Sequence, residues 1–289
     1  MIEQYLSAKW ALNADFHNQM AALALRRMAN GKTPFATGGE IAGPYLAFDD
    51  DDDEMEIETG TGYDFLAKAS TDQGQVVIIP VVGTMTRYGG LCSYGSESYA
   101  SWIMEANADP AIAGIVLELN TPGGQVDGTE MLGEVIRQSE KPVVAYVTGM
   151  AASAGYWIAS QADYIMLESE TTSEVGSIGV LATHYDYTGF LEKEGYKITI
   201  VRADGSEDKA LFNSVEKLSE AVLAETKEIL NTIRGTFIEI VKAGRPGIGE
   251  VFSGKMYVGR DAIKLGMADG FGYLGDAVNK VLELAQAAA

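Results

Sequence analysis

Thr148-Gly149-Met150-Ala151-Ala152-Ser153-Ala154-Gly155-Tyr156 follows an apolar run, Val143 to Val147, that reads as a buried strand, and opens a segment at 156–162 that reads as a helix. The joint is built of small residues. A strand that enters a helix in this way leaves the first helical amides without intrahelical partners and places the positive end of the helix dipole behind them. One hydroxyl, that of Ser153, stands there among Ala and Gly. The setting suits a nucleophile, because small neighbours admit a substrate backbone and free amides can hold an oxyanion. The same composition also serves a helix that merely packs close on a sheet, so the reading depends on the surrounding segments.

Two further loops supply that context. Residues 114–119 read as a second buried strand, ending in Asn120-Thr121-Pro122-Gly123-Gly124-Gln125-Val126. Pro-Gly-Gly is a turn, and its paired glycines permit a backbone approach that a Cβ would block. The amides of Gly124 and Ala154 are the candidate oxyanion donors, and Gly123, Gln125 and Val126 are candidates for contacting a peptide laid beside the loop. Ser173-Glu174-Val175-Gly176-Ser177-Ile178-Gly179-Val180 adds a third Gly-punctuated element. Loops at three strand ends can converge on one crevice.

In this order and spacing, the motifs Asn-Thr-Pro-Gly-Gly-Gln-Val, Ala-Ala-Ser-Ala-Gly-Tyr-Trp-Ile-Ala-Ser-Gln-Ala-Asp and Gly-Ser-Ile-Gly-Val resemble the signal peptide peptidase A family of serine peptidases. The segment from Phe252 to Asp269 is similar to the closing pattern of that family, so the resemblance covers roughly residues 75 to 280. It implies an α/β fold shared with the caseinolytic protease and the crotonases, present here in a single copy. It also implies a Ser-Lys dyad that acts through an acyl-enzyme, with Ser153 as nucleophile, and no cofactor. Cellular members usually carry an N-terminal membrane anchor. The absence of one from this sequence points toward the soluble capsid maturation proteases of phages and prophages, with scaffold and capsid proteins as substrates in the host cytoplasm or within the prohead.

Composition narrows the classes. The 289 residues carry 21 basic and 41 acidic side chains, a net charge of −20, which argues against nucleic acid as a partner. A 47% hydrophobic share supplies a core, yet no apolar run approaches the roughly 20 residues of a membrane span. The N-terminus lacks the pattern of a secretory signal. The single cysteine, Cys92, excludes an internal disulfide and reads as a packed thiol. Neither His17 nor His184 has partners at ligand spacing, so no metal site is expected.

Residues 1 to about 30 have a helical period, with Trp10, Leu12, Phe16, Met20, Leu23, Leu25 and Met28 among polar residues and alanines, and predict an amphipathic helical extension. A Gly- and Pro-containing stretch follows, and then six consecutive carboxylates from Asp49 to Glu54 that read as a solvated connector. This gives an arm and linker at 1–74 and a peptidase domain at 75–289. Within the domain, strands are expected at 75–82, 114–119 and 142–147, near 164–167 and 178–181, and at 197–201. Helices are expected at 94–108, 126–138, 187–194, 214–243 and 276–289. Apolar strands alternating with helices mean a largely parallel sheet.

A serine hydroxyl needs a base. By resemblance that base is Lys209, in Arg202-Ala203-Asp204-Gly205-Ser206-Glu207-Asp208-Lys209; Lys197 and His184 are the other candidates. An ordinary lysine, with a pKa of about 10.4, is protonated at neutral pH, and only burial can lower that value among so many carboxylates. The expectation is therefore a closed homo-oligomeric ring in which a second protomer buries Lys209, with the Ser177 hydroxyl orienting its ammonium. The alternatives are a soluble bacterial signal-peptide-peptidase-like protease, an acyl-CoA enzyme of the crotonase type, and a non-catalytic assembly scaffold that keeps the fold.

Overall fold

The computed structural model describes residues 10–12, 63, 66–71, 73–90 and 94–288, the first of these as backbone only. Ten strands and seven helices are described: β1 (Trp10–Leu12), β2 (Lys68–Thr71), β3 (Gly74–Val82), α1 (Ser96–Ala108), β4 (Ile112–Thr121), β5 (Gly123–Gln125), α2 (Thr129–Arg137), β6 (Val143–Ala152), α3 (Ala154–Ala159), β7 (Tyr164–Leu167), β8 (Glu174–Gly176), α4 (Thr188–Lys193), α5 (Glu220–Gly244), β9 (Met256–Val258), α6 (Gly259–Lys264), β10 (Gly270–Phe271) and α7 (Leu274–Ala288). The principal sheet runs β10-β7-β6-β4-β3-β2, parallel from β10 to β3, with β2 antiparallel at the edge. The sheet thus reaches back to Lys68, inside the stretch expected as arm and linker.

Alternation along the strands decides what each face buries. Val77, Ile79, Ile115, Leu117, Val143, Ala145, Ile165 and Leu167 point to one side and pack with α1, α2, α3 and the C-terminal half of α5. Val76, Val116, Val144, Tyr146 and Met166 point to the other, where Val278, Val281 and Leu282 of α7 cover them. Both faces are covered, so the strands read as continuous apolar runs. The helix α5 is fixed to the first face by Phe237, fully buried and stacked on Trp157 at 4.4 Å between ring centroids. Its N-terminal half is less engaged: Leu223 is 56% exposed and Ile229 39% exposed.

The strand β6 divides. Val144 to Val147 pair with β7, whereas Met150 to Ala152 pair with β8, which in turn pairs antiparallel with β9. The fork carries the end of β6 out of the main sheet to the point where Ser153 begins its turn.

Three expected elements differ. The stretches 178–181 and 197–201 form no strand; an isolated segment has no ladder to satisfy its amides, and Val201 is 88% exposed. The strand of the third loop lies earlier, at β8. Residues 10–12 fall in the predicted helical extension but form a strand, because pairing with β5 supplies bonds that a helical period does not guarantee. The rest of the predicted arm and the acidic run lie outside the described residues, as do Cys92 and His17.

Phe237→Ala is expected to cost about 3–5 kcal/mol in a denaturant titration, since it deletes a fully buried ring and its stacking on Trp157. A second expectation concerns Glu118 on β4. Burial, with Glu168 nearby, holds its carboxyl above the ordinary range, and Glu168 itself accepts the Tyr146 hydroxyl at 2.7 Å. A raised folded value means that stability is lost as pH rises through it. Glu118→Gln should therefore raise the melting temperature at pH 8, with the gain vanishing near pH 4.

Candidate active site

Ser153 ends β6 and precedes α3 at φ 53° and ψ −112°. A non-glycine residue in such a region costs on the order of 1–3 kcal/mol and persists only where its surroundings over-determine it. Here they do. The Ser153 N–H donates to the Gly176 carbonyl at 2.7 Å, and the Ser153 carbonyl accepts the Trp157 N–H at 2.8 Å. The hydroxyl Oγ donates to the Gly179 carbonyl at 3.3 Å, and the residue is fully buried. Ala154, also fully buried, supplies the first amide of α3.

The first loop is positioned by Thr121. Its buried hydroxyl donates to the Gly83 carbonyl at 2.6 Å and accepts the Gly123 N–H at 3.1 Å. Gly123 itself lies at φ 97°. A Cβ on Gly155 would lie 2.5 Å from Cγ2 of Thr121, so the loop and the helix that Ser153 opens touch. The strand β5 is then laid against Met85: the Met85 N–H donates to the Gly123 carbonyl and the Gln125 N–H to the Met85 carbonyl, both at 2.9 Å. A Cβ on Gly124 would sit 1.8 Å from that Met85 oxygen, which only glycine avoids. Val126, half-buried, continues beyond β5.

The third loop holds a second strained serine. Ser177 is buried at φ 55° and donates its N–H to the Lys255 carbonyl at 2.9 Å. The closing segment 252–269 thereby reaches the site, and it does so again where the buried Tyr156 hydroxyl donates to the Met267 carbonyl at 3.0 Å. Burial pushes the Tyr156 phenol up, leaving a neutral donor there. Arg245 fastens the same segment with a bidentate pair to Asp269, at 2.7 and 2.6 Å.

The three loops therefore meet at Ser153 through Gly176, Gly179 and Thr121. Lys209 is a different matter. It is exposed in a turn, where its N–H donates to the Ser206 carbonyl at 3.1 Å and its carbonyl accepts Arg202 Nε at 2.7 Å. Among the described residues, no hydrogen bond joins Lys209 to Ser153 or Ser177. Lys197 is exposed as well. His184 is engaged elsewhere, with Nε2 2.6 Å from the Asn213 carbonyl and its ring edge-on to Phe212. Among the described residues no cluster of His, Cys, Asp and Glu could hold a metal, and no helix is long and apolar enough to cross a membrane.

Sequence reading missed two supports. Thr121 was visible within its motif but is marked as a positioning residue only by its burial. Met85 carries no sequence signal, since an isolated bridge to Gly124 leaves no periodicity.

The comparison with known families bears on this geometry. Residues 135–288 match the sequence model of Peptidase family S49. The chain belongs to peptidase family S49. The matched span holds Ser153, the third loop and the closing segment; residues 75–188 also match the NfeD1b N-terminal domain. The S49 chain is similar to Protease 4 of Salmonella typhi, at 31% identity over 236 residues, 78% of this chain and 37% of that protein. It is similar also to the capsid assembly protease C of Escherichia phage lambda, at 29% over 212 residues, 67% and 46% of the two chains. The head-tail preconnector protein GP5 of Enterobacteria phage P21 matches at 28% over 214 residues, 71% and 42%. The chain spans less than two thirds of the length of these relatives. Among solved structures, a membrane-bound stomatin-specific protease aligns over 71% of this chain and 78% of its own, with 19% identity and a TM-score of 0.43.

Gly124→Ala should drive β5 off Met85. If the Gly124 amide is an oxyanion donor for a nucleophilic Ser153, fluorophosphonate labelling should then fall on the order of 10²-fold while circular dichroism stays close to wild type; labelling that stays at the wild-type rate removes that role.

Proposed function

We propose that this S49 chain is a serine endopeptidase that cleaves extended peptide segments through Ser153. The observation that carries the reading is the strained, fully buried Ser153, held by Gly176 at the fork of β6 with a free helical amide behind it. Nothing in a merely structural strand-to-helix joint requires a serine at positive φ. The fold is taken as crotonase-like, with an appended arm within residues 1–74 that ends before the edge strand β2, and the peptidase domain beyond it, 75–289 together with β2.

In the proposed reaction the substrate lies beside β5, contacting Gly123, Gln125 and Val126. Lys209 Nζ takes the proton from Ser153 Oγ, which attacks the scissile carbonyl carbon. The amides of Gly124 and Ala154 hold the oxyanion. The intermediate collapses with cleavage of the C–N bond, the leaving amine takes the proton from Lys209, and the acyl group stays on Ser153. Water then gives a proton to Lys209 and attacks the ester carbonyl carbon; the acyl C–Oγ bond breaks, the carboxylic acid product leaves, and Ser153 Oγ takes the proton back from Lys209.

Lys209 reaches this role in a closed homo-oligomeric ring, where a neighbouring subunit buries it and Ser177 orients its ammonium. Two features support a second copy. Lys209 is exposed in the single chain, and so are the apolar side chains Phe190, Tyr196, Ile198, Val201 and Leu223 on nearby segments. The likeness to phage proteins named for capsid assembly and head-tail connection supports scaffold and capsid proteins as substrates, cleaved in the host cytoplasm or the prohead.

Fluorophosphonate labelling between pH 6 and 10 tests the reading. Wild type should label, Ser153→Ala should not, and Lys209→Ala should lose at least about 10²-fold with assembly unchanged. Labelling that survives in Lys209→Ala moves the base to another residue. An oligomer that never labels is a scaffold and sinks the peptidase reading.

A further inference from the structure

The strand β5 has two edges, and both are occupied. One edge is bonded to Met85 through the Gly123 carbonyl and the Gln125 N–H. Backbone groups alternate along a strand, so the N–H and C=O of Gly124 point to the opposite edge. There lies β1, antiparallel, with Trp10 opposite Gln125, Ala11 opposite Gly124 and Leu12 opposite Gly123. The segment thus lies along the edge where the proposed substrate would lie. The Ala11 backbone faces the very amide assigned to the oxyanion, and in this arrangement Ser153 has no exposed surface.

We propose that Trp10–Leu12 is a built-in occupant of the peptide-binding strand, and that the enzyme is self-blocked until this segment leaves β5. The inference rests on the peptidase reading and adds to it a regulator carried by the same chain. A peptide and β1 cannot both pair with one edge, so binding of substrate and release of the segment are the same event. Three residues bring few main-chain bonds, which makes the seat reversible. Tethering compensates, because an attached segment acts at an effective concentration on the order of millimolar. The commonest fate of an open strand edge, pairing with another chain, is prevented while β1 is in place.

Two measurements on the full-length chain test this. Ala11→Pro removes the N–H that faces Gly124, whereas Ala11→Val keeps it. Fluorophosphonate labelling of Ser153 should accelerate several-fold in Ala11→Pro and stay at the wild-type rate in Ala11→Val. A synthetic peptide of residues 6–16 should slow the Ala11→Pro variant again, at a concentration on the order of millimolar.

The second measurement does not depend on activity. Groups facing each other at Ala11 and Gly124 make Trp10 and Gln125 a non-hydrogen-bonded pair, with Cα atoms about 4.5 Å apart, inside the range of a disulfide. Trp10→Cys with Gln125→Cys, in a Cys92→Ser background, should oxidise to an intramolecular disulfide that stops labelling, with labelling restored by reduction. Equal labelling of wild type and Ala11→Pro, or failure of the disulfide to form, overturns this proposal alone. A dimeric cross-link overturns it in favour of a neighbour's segment. Release of a fragment ending near Ala11, absent in Ser153→Ala, makes β1 a substrate rather than a standing block. Absence of labelling in every variant removes the peptidase reading, and this proposal with it.

Discussion

The hydrogen bond from the Ser153 amide to the Gly176 carbonyl is the constraint on which the site depends. It forces a serine into a region of backbone space that side chains avoid, and it can do so only because β8 lies beside the last residues of β6. That strand is in turn held by β9, and β9 belongs to the closing segment whose far end is clamped by Arg245 and Asp269. The strain at one residue is thus supported by elements about a hundred positions further along the chain. Separately, the first loop reaches the same helix through Thr121. Ser153 and the helix it opens are held from two sides by parts of the chain that are far apart in sequence.

Much of this was legible beforehand, for reasons that differ by residue. The strands 114–119 and 142–147 announce themselves because both faces of a parallel sheet are covered, which leaves uninterrupted apolar runs. The stretch around Ser153 was ambiguous by itself and stood out only beside the two glycine-rich loops, and the structure brings segments of both to it. Gly124 was legible as a point of close approach, and the contact with Met85 supplies the reason. The failures share a cause. Whether 178–181, 197–201 or 10–12 forms a strand depends on whether a partner edge is within reach, and no local pattern encodes that. β8 begins four residues earlier than the strand expected at 178–181, because its partner, the tail of β6, fixes its register.

Lys209 marks the limit of both sequence and single-chain structure. Its position was taken from a family pattern, and the turn that holds it is an exposed one tied by Arg202 and Glu216. A base must lose solvent to work at neutral pH, and nothing within one copy of the described chain removes solvent from this side chain. For Lys209 to serve as the base proposed above, the solvent around it would have to be displaced by something outside the single described chain.

The fork in β6 has a consequence for how such a chain can change over time. The half that pairs with β7 answers only to the core, while the half that pairs with β8 answers to Ser153. Substitutions along β7, β10 and the α7 face can therefore drift with the demands of packing and solubility without rotating Ser153. The tolerance ends abruptly at Gly149, where even a methyl group would meet the Asn120 side chain at 2.6 Å. A single strand carries one segment free to evolve and another that is not, with the border one residue wide.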